Sequence, residues 1–483
     1  MTYHPAVWLA GDSMASYYTN VPGAGFGSPY LDSLIWGNTI WDTEQEPIKV
    51  WFGQSEDFDE ASGVHPADDN LPGGEFALNW SLEEAEAIAA AAAVFARVCN
   101  VSFVYADSAA DADIVWWKVD LGEDLHGWHE TPSADRPSWG MFNPNTASWA
   151  NLAFGGDGFN TILHEMGHAL GLAHPHDGGS EQDATTFPGV NDSSDLGSYG
   201  LNQSIWTIMS YNPGWNGAPS TLSYGCQGGL GAFDIAALQL LYGVNTTTAT
   251  GNNTYVLPKR NEAGTGWSCI WDAGGTDTIS GTTATNGVRI DLRAATLVAN
   301  DPHAGGFVSW QSKVGGGFTI AYGVIIENAY GGSYADKLHG NAAANLLRGN
   351  AGADTLYGAG GNDKLQGGAG NDVLSGGTGK DIFVFNTALN ARTNKDRFLD
   401  WNYRDDTIQL ENAVFKKLTK TGVLNKAYFT IGSAAKDSND YIIYNKTTGD
   451  LFYDANGNVA GGQVAFANIG KGKTIAYNDF VVI

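Results

Sequence analysis

Residues 82 to 98 form an alanine-rich run preceded by Ser81 and carrying Glu84 three positions on, a capping-box pattern that predicts a helix. Apolar, β-branched and aromatic residues then gather over Val101 to Tyr105 and over Asp113 to Val119 (DIVWWKV). Both stretches read as strands, the second suited to a sheet edge. From Thr161 to Leu170 the spacing is helical again, with Gly171 placed to stop it, and a last helix is expected from Ala232 to Leu241, ending at Tyr242 and Gly243. Beyond about residue 244 the texture changes to Thr, Asn and Gly with short β-runs and almost no helical periodicity. Within that second half, glycine recurs at 331, 340, 349, 358, 367 and 376. Five residues after each stands Asp336, Asn345, Asp354, Asp363, Asp372 or Asp381, and two further on an apolar residue, Leu338, Leu347, Leu356, Leu365, Leu374 or Phe383. Three residue classes holding one phase over six repeats predict a coiled β architecture.

A chain of 483 residues exceeds the ~250 to 300 at which one core stops growing, so at least two domains are expected. Hydrophobic residues make up 43% of it, which rules out a disordered protein. Charge is split unevenly. Residues 1 to 243 carry 31 Asp and Glu against Lys49, Arg97, Lys118 and Arg136, whereas the remainder carries 21 of each sign, so the first half holds the whole net charge of -27. Such a half repels nucleic acid and anionic lipid; it reads as a solvated acidic surface that aids solubility, with a preference for cationic substrates as the sharper alternative. Cys99, Cys226 and Cys269 form neither a C-x-x-C pair nor a disulfide framework and read as buried thiols. Met1 to Ser16 lacks a basic region and a long apolar run, and no stretch reaches the ~20 apolar residues of a membrane span, so a soluble chain without a Sec-type signal is expected.

Residues 164 to 174 read H-E-M-G-H-A-L-G-L-A-H. On a helix His164 and His168 project from one face at a separation suited to a single tetrahedral ion. Glu165 beside them is free to act as general base, and Gly171 permits the left-handed turn that brings in His174 as third ligand. The fourth position stays open, as in catalytic rather than structural zinc sites.

This run resembles the metzincins, whose extended motif H-E-x-x-H-x-x-G-x-x-H is followed by a Met-turn. Thr207-Ile208-Met209-Ser210-Tyr211 resembles that turn. The resemblance makes Met209 an apolar floor under the zinc, and Tyr211 a fifth ligand at rest that later stabilises the oxyanion. It also suggests that Asp113 to Val119 accepts substrate as an added strand, with an ordinary interior strand as the equal alternative. The repeat matches G-G-x-G-x-D-x-U-x, the calcium-binding β-roll of RTX proteins, in which coils stack two repeats apart. Ligands expected there are Gly332, Asp336, Gly349, Gly352, Asp354, Gly358, Gly360, Asp363, Gly367, Gly368, Gly370, Asp372, Gly376 and Asp381, with calcium between, for example, Gly332 with Asp336 and Gly349 with Asp354. Asn345 and the alanines before it make the second repeat the weakest set.

Zinc motif and roll together resemble the serralysin-like proteases over most of residues 80 to 385. That resemblance adds calcium-ligand roles for Asp272, Gly274, Gly275, Asp277 and Glu327. It implies an α+β metzincin catalytic domain over 31–243, after a possible pro-segment over 1–30, followed by an all-β domain over 244–483 with the roll at 331–385 and a secretion region at 386–483. Asp479-Phe480-Val481-Val482-Ile483 resembles the uncleaved signal of type I secretion. The function implied is a secreted, monomeric zinc endopeptidase stabilised by several calcium ions. Its partners would be protein substrates, a type I exporter and a protein inhibitor, periplasmic or from a host. Alternatives are a processing protease with one target, or an inactive calcium-dependent surface or adhesion protein.

Overall fold

The computed structural model describes residues 16–55, 77–122, 125–134, 137–179 and 185–483. The first half is built on a five-stranded sheet of strands β3 (Ile48–Phe52), β4 (Phe103–Tyr105), β5 (Ile114–Lys118), β6 (Gly127–His129) and β7 (Ser138–Phe142), in the order β4-β3-β5-β7-β6. All neighbours are parallel except β6, which runs antiparallel to β7 at the sheet edge. Before it, β1 (Tyr17–Val21) pairs antiparallel with β2 (Asn38–Trp41), and the short helix α1 (Pro29–Asp32) lies between them. Of the segment 1–30 expected as a pro-segment, residues 1–15 lie outside the described residues. Tyr30 is fully buried, its ring stacked on Phe233 at 4.8 Å.

Helix α2 (Leu82–Val98) starts with both halves of the predicted capping box, Ser81 Oγ accepting from Glu84 N–H and Glu84 Oε2 from Ser81 N–H. Glu84 also accepts Lys118 Nζ and the Trp149 indole N–H. Burial works against that charge, yet these donors hold the carboxyl down at about 2. The pair ties α2 to β5. Helix α3 (Asp157–Ala169) begins a turn earlier than its apolar spacing suggested, because Gly156 serves as its N-cap, and helix α4 (Ala232–Tyr242) runs to Gly243 as expected.

One expectation needs correcting. Asp113 to Val119 read as an edge strand, but β5 lies inside the sheet with parallel partners β3 and β7 on either side. All five of its residues are buried, and a strand apolar on both faces belongs where both faces are covered. The edge is Gly127–His129, whose three residues are too few to show a period.

The second half forms two sheets whose roll strands are parallel, with antiparallel pairs elsewhere. Strands 328–330, 346–351, 364–369 and 382–385 stack in one, and strands 337–339, 355–357 and 373–375 in the other. Partners are eighteen residues apart, as Leu347 with Leu365 and Leu338 with Leu356, so the stacking is two repeats. The apolar residue of every repeat, from Leu338 to Phe383, is fully buried between the sheets. Among the described residues, only short 3-10 turns interrupt the β structure past α4. Contacts such as Ser28 Oγ to Leu297 O and Thr248 Oγ1 to Arg97 O join the two halves, and one hydrophobic core runs through both.

Candidate metal centre and its cleft

Helix α3 and the turn after it bring His164, His168 and His174 together. Each ring is oriented from behind. His164 Nδ1 lies 2.8 Å from Ile208 O, His168 Nδ1 2.8 Å from Leu172 O and His174 Nδ1 2.5 Å from Asp177 Oδ2. Two of these oxygens are carbonyls, which only accept, and the third belongs to a carboxylate. The proton of each neutral ring therefore sits on Nδ1 and the lone pair on Nε2. The lone pairs converge: His174 Nε2 is 3.0 Å from both His164 Nε2 and His168 Nε2. Three acceptors that close repel one another unless a cation lies between them, and three imidazoles in a tetrahedral array are a donor set for zinc. Burial drives His164 down to about 3 and His168 well below its ordinary value, which keeps both neutral.

Glu165 is buried beside them, and its Oε2 has no hydrogen-bond partner. Burial pushes its carboxyl up to about 8. The edge strand leaves room for it, since a Cβ on Gly127 would fall 2.9 Å from Glu165 Oε1. That strand is fixed by His129, whose Nε2 accepts the Trp116 indole N–H at 3.1 Å.

Beneath the histidines Met209 is fully buried, and a Cβ on Gly167 would lie 2.5 Å from its Sδ, so the helix needs glycine there. The turn that presents Met209 is held by Asp234 of α4, which accepts from Thr207 Oγ1 (2.6 Å), Ile208 N–H (2.8 Å) and Gly231 N–H (2.8 Å). Burial pushes Asp234 up to about 7. Its hold on Ile208 is also a hold on His164. Tyr211 sits beside the centre, half-exposed, with its ring 4.8 Å from His174 and 5.6 Å from His164. Burial, then the Glu165 and Asp177 carboxylates, raise its phenol to about 12, so it is a donor at neutral pH. Asp177, Asp234 and Gly127 were not singled out in the sequence; Asp177, three residues after His174, was the most readable.

These groups open into a cleft of about 580 Å³, bounded by Trp36 and Thr39 on one side and by the edge strand on the other. A second cavity of about 410 Å³ adjoins it past His164 and Tyr211.

In the roll, the turns 331–336, 349–354 and 367–372 line up along one edge, and 340–345, 358–363 and 376–381 along the opposite edge. Each row is a ladder. Asp336 N–H donates to Asp354 Oδ1 (2.8 Å), Asp354 N–H to Asp372 Oδ1 (2.9 Å), and Asp372 N–H to Asp396 Oδ1 (3.1 Å). Across the roll Asn345 N–H donates to Asp363 Oδ1, Asp363 N–H to Asp381 Oδ1 and Asp381 N–H to Asp406 Oδ1. The second oxygens of Asp354, Asp363, Asp372 and Asp381 are buried without a partner. Each faces a space that glycine leaves open: a Cβ on Gly349 would be 2.3 Å from Asp354 Oδ2 and 2.5 Å from Gly367 O, and one on Gly358 2.2 Å from Asp363 Oδ2 and 2.4 Å from Gly376 O. Gly367 and Gly376 face Asp372 Oδ2 and Asp381 Oδ2 in the same way. An unpaired carboxylate oxygen and a carbonyl converging on one space form a hard-oxygen cradle that fits calcium.

The remaining expected ligands fall around these cradles. Gly352, Gly368 and Gly370 occupy the tight stacking of coil on coil, where a Cβ on Gly370 would be 1.5 Å from Gly352 O, whereas Gly360 has room, its nearest neighbour being Thr378 Oγ1 at 3.3 Å. Gly332 gives Asp336 Oδ2 its N–H, and it is Gly331 that faces this oxygen together with Gly349 O. The Asn345 amide is satisfied by backbone groups, its Oδ1 accepting the Asn341 backbone N–H and its Nδ2 donating to the Glu327 carbonyl. Upstream, Asp277 Oδ2 is unpaired, its N–H donates to Glu327 Oε2, and Asp272 Oδ1 accepts Gly274 N–H, with Gly275 adjacent. Asp396 and Asp406 end the ladders but escape the repeat, because their bonds span 24 and 25 residues instead of 18.

A coiled Gly/Asp β-roll that carries on into a closing β region, in one chain with three converging imidazoles, defines a roll protein with a candidate metal centre. The family model for the peptidase M10 serralysin C terminal matches residues 233–482, more than half of the chain, and the chain belongs to that family. It is 32% identical over 262 residues to metallopeptidase AprA of Pseudomonas marginalis, covering 50% of each chain. It is 36% identical over 212 residues to serralysin C of Dickeya chrysanthemi (42% of this chain, 40% of that one), and 29% identical over 333 residues to serralysin G of the same organism (64% and 63%). The chain thus spans about half the length of the curated relatives it matches.

Proposed function

We propose that this chain is a secreted zinc endopeptidase, with an α+β metzincin-type catalytic domain over about residues 31–243 and a calcium-loaded β domain over 244–483. The observation that carries the reading is the convergence of three Nε2 lone pairs 3.0 Å apart beside a buried carboxylate with an unpaired oxygen. His164, His168 and His174 would hold zinc, with Tyr211 as a further ligand at rest. The ion would supply a Lewis acid and a water of lowered pKa.

The residues of the chain do the rest. Gly127–His129 pairs with the backbone of an extended peptide and aligns the scissile carbonyl over the histidines. A cation held by the histidines would favour the charged form of the Glu165 carboxyl, which burial alone puts at about 8, and Glu165 then takes a proton from the attacking water and delivers it to the leaving amine. The protonated Tyr211 hydroxyl donates to the oxyanion. Asp177 and Asp234 keep the rings aimed, and Met209 keeps the underside dry.

Calcium would sit at Asp277, Asp354, Asp363, Asp372 and Asp381, with the carbonyls of Gly367 and Gly376 completing the cradles of Asp354 and Asp363. Export by a type I system fits the C-terminus: Phe480–Val482 is a buried strand of the larger β domain, parallel to 407–410, so a signal there can be read only before folding. Low cytosolic calcium leaves the roll open, and external calcium closes it.

The test is casein hydrolysis by the full chain loaded with zinc and calcium. Cleavage that disappears in Glu165→Ala supports the reading. A zinc-loaded wild type that cleaves no protein substrate sinks it and favours an inactive surface protein.

A further inference from the structure

The cavity of about 410 Å³ next to the metal centre has a wall the proposed mechanism does not use. It contains Asp157, the first residue of α3, at the end away from the histidines. Among the described residues Asp157 has only weak partners: its Oδ1 accepts the Cys226 thiol at 3.8 Å, and its Oδ2 lies 4.0 Å from the half-exposed His126 ring. Among the described residues no Lys or Arg nitrogen comes within 4.0 Å of it. The same wall also contains Asn160. Leu125 and Pro213 give the cavity apolar sides.

We infer that this cavity is a side-chain subsite for lysine or arginine at a position flanking the scissile bond, with Asp157 as the residue that sets the preference. This rests on the endopeptidase reading above. Apolar sides and a carboxylate in one cavity match a side chain that has a methylene stem and a cationic, donor-only head. A carboxylic acid side chain is repelled, and a leucine meets the apolar sides but leaves the carboxylate without a partner. The excess of 31 acidic residues over four basic ones in this half adds a field that draws cationic segments toward the cleft. Partial burial disfavours the charge on Asp157 and raises its carboxyl, which a cationic head would reverse.

The experiment is cleavage of a proteome-derived peptide library by the full, zinc- and calcium-loaded chain, followed by kcat/KM for two peptides that differ only in lysine against leucine at the preferred position. Expected is enrichment of Lys and Arg, with depletion of Asp and Glu, at one of the two flanking positions. Asp157→Asn should lower the lysine-to-leucine ratio about tenfold, the size of one lost hydrogen bond to a charged group. Asp157→Glu should keep most of the ratio. Because the ratio is internal to each variant, a loss of folded protein cancels, and a merely structural role for Asp157 would lower both peptides alike. Cleavage without basic enrichment, or an unchanged ratio in Asp157→Asn, overturns the inference and leaves the endopeptidase reading standing. A wild type that cleaves nothing overturns both.

Discussion

The two halves of this chain hold their candidate metal sites in opposite ways. In the first half three imidazoles, two on helix α3 and one on the turn after it, are pinned by Ile208 O, Leu172 O and Asp177. The site is held by the chain's own hydrogen bonds. In the second half the would-be ligands are carboxylates stacked coil above coil, each with an oxygen buried and unpaired. Burial, and then the like charges of neighbouring coils, push Asp354 up to about 7. There an ion would belong to the fold itself. On the proposed reading zinc would be a cofactor added to a folded site, whereas calcium would be a structural component.

The largest effect expected from this contrast is on folding. Removing calcium at neutral pH should unfold the coils of 331–385, seen as loss of β circular dichroism, while removing zinc should leave the spectrum almost unchanged. Equal loss from either treatment breaks the comparison. The pH dependence sharpens it. Asp354 and Asp363 sit at about 7 and Asp372 at about 6 in the calcium-free fold, each raised first by burial from an ordinary 3.8. For a carboxyl raised by folding, the protonated form is the one the fold tolerates, so stability is full below about 4 and is lost as pH rises through 6 to 7. The calcium-free chain should therefore be more stable to heat at pH 5 than at pH 7.5. Added calcium should reverse that order, because protons compete with it for the carboxylates.

Next in size is the apolar stack that the coils share. Leu356 is fully buried between Leu338 and Leu374 of its own sheet, and Leu356→Ala should cost about 2 to 5 kcal/mol of stability in the calcium-loaded protein, read from denaturant midpoints. Smaller again is the effect of an orienting residue in the first half. Asp177→Ala should weaken zinc binding about 10- to 100-fold, read by competition with a chromogenic chelator, with little change in melting temperature. A large drop in melting temperature instead would mean that the zinc site, too, is part of the fold.

The two halves also differed in how far they could be read from the chain. The roll was legible as far as its repeat lasted, because one residue class per position dictates turn, ligand and core. It ceased to be legible at Asp396 and Asp406, where longer connections break the nine-residue phase while the hydrogen-bond ladder continues. Helix α3 announced its histidines and Glu165 through spacing alone. The groups that aim them come from distant segments, Asp234 from α4 and Gly127 from a three-residue strand, and tertiary placement of that kind leaves no local period. The edge role given to Asp113 to Val119 failed for a readable reason: IVWWK is apolar at both odd and even positions, which is the pattern of an interior strand.

The central claim, that the first half carries a preformed catalytic zinc site, is tested most directly by zinc stoichiometry of the folded, calcium-loaded full chain after dialysis, measured by plasma mass spectrometry. The account predicts one zinc per chain in the wild type and none in a folded His164→Ala/His168→Ala variant. A folded wild type that takes up no zinc, or a double variant that retains it, would contradict the account.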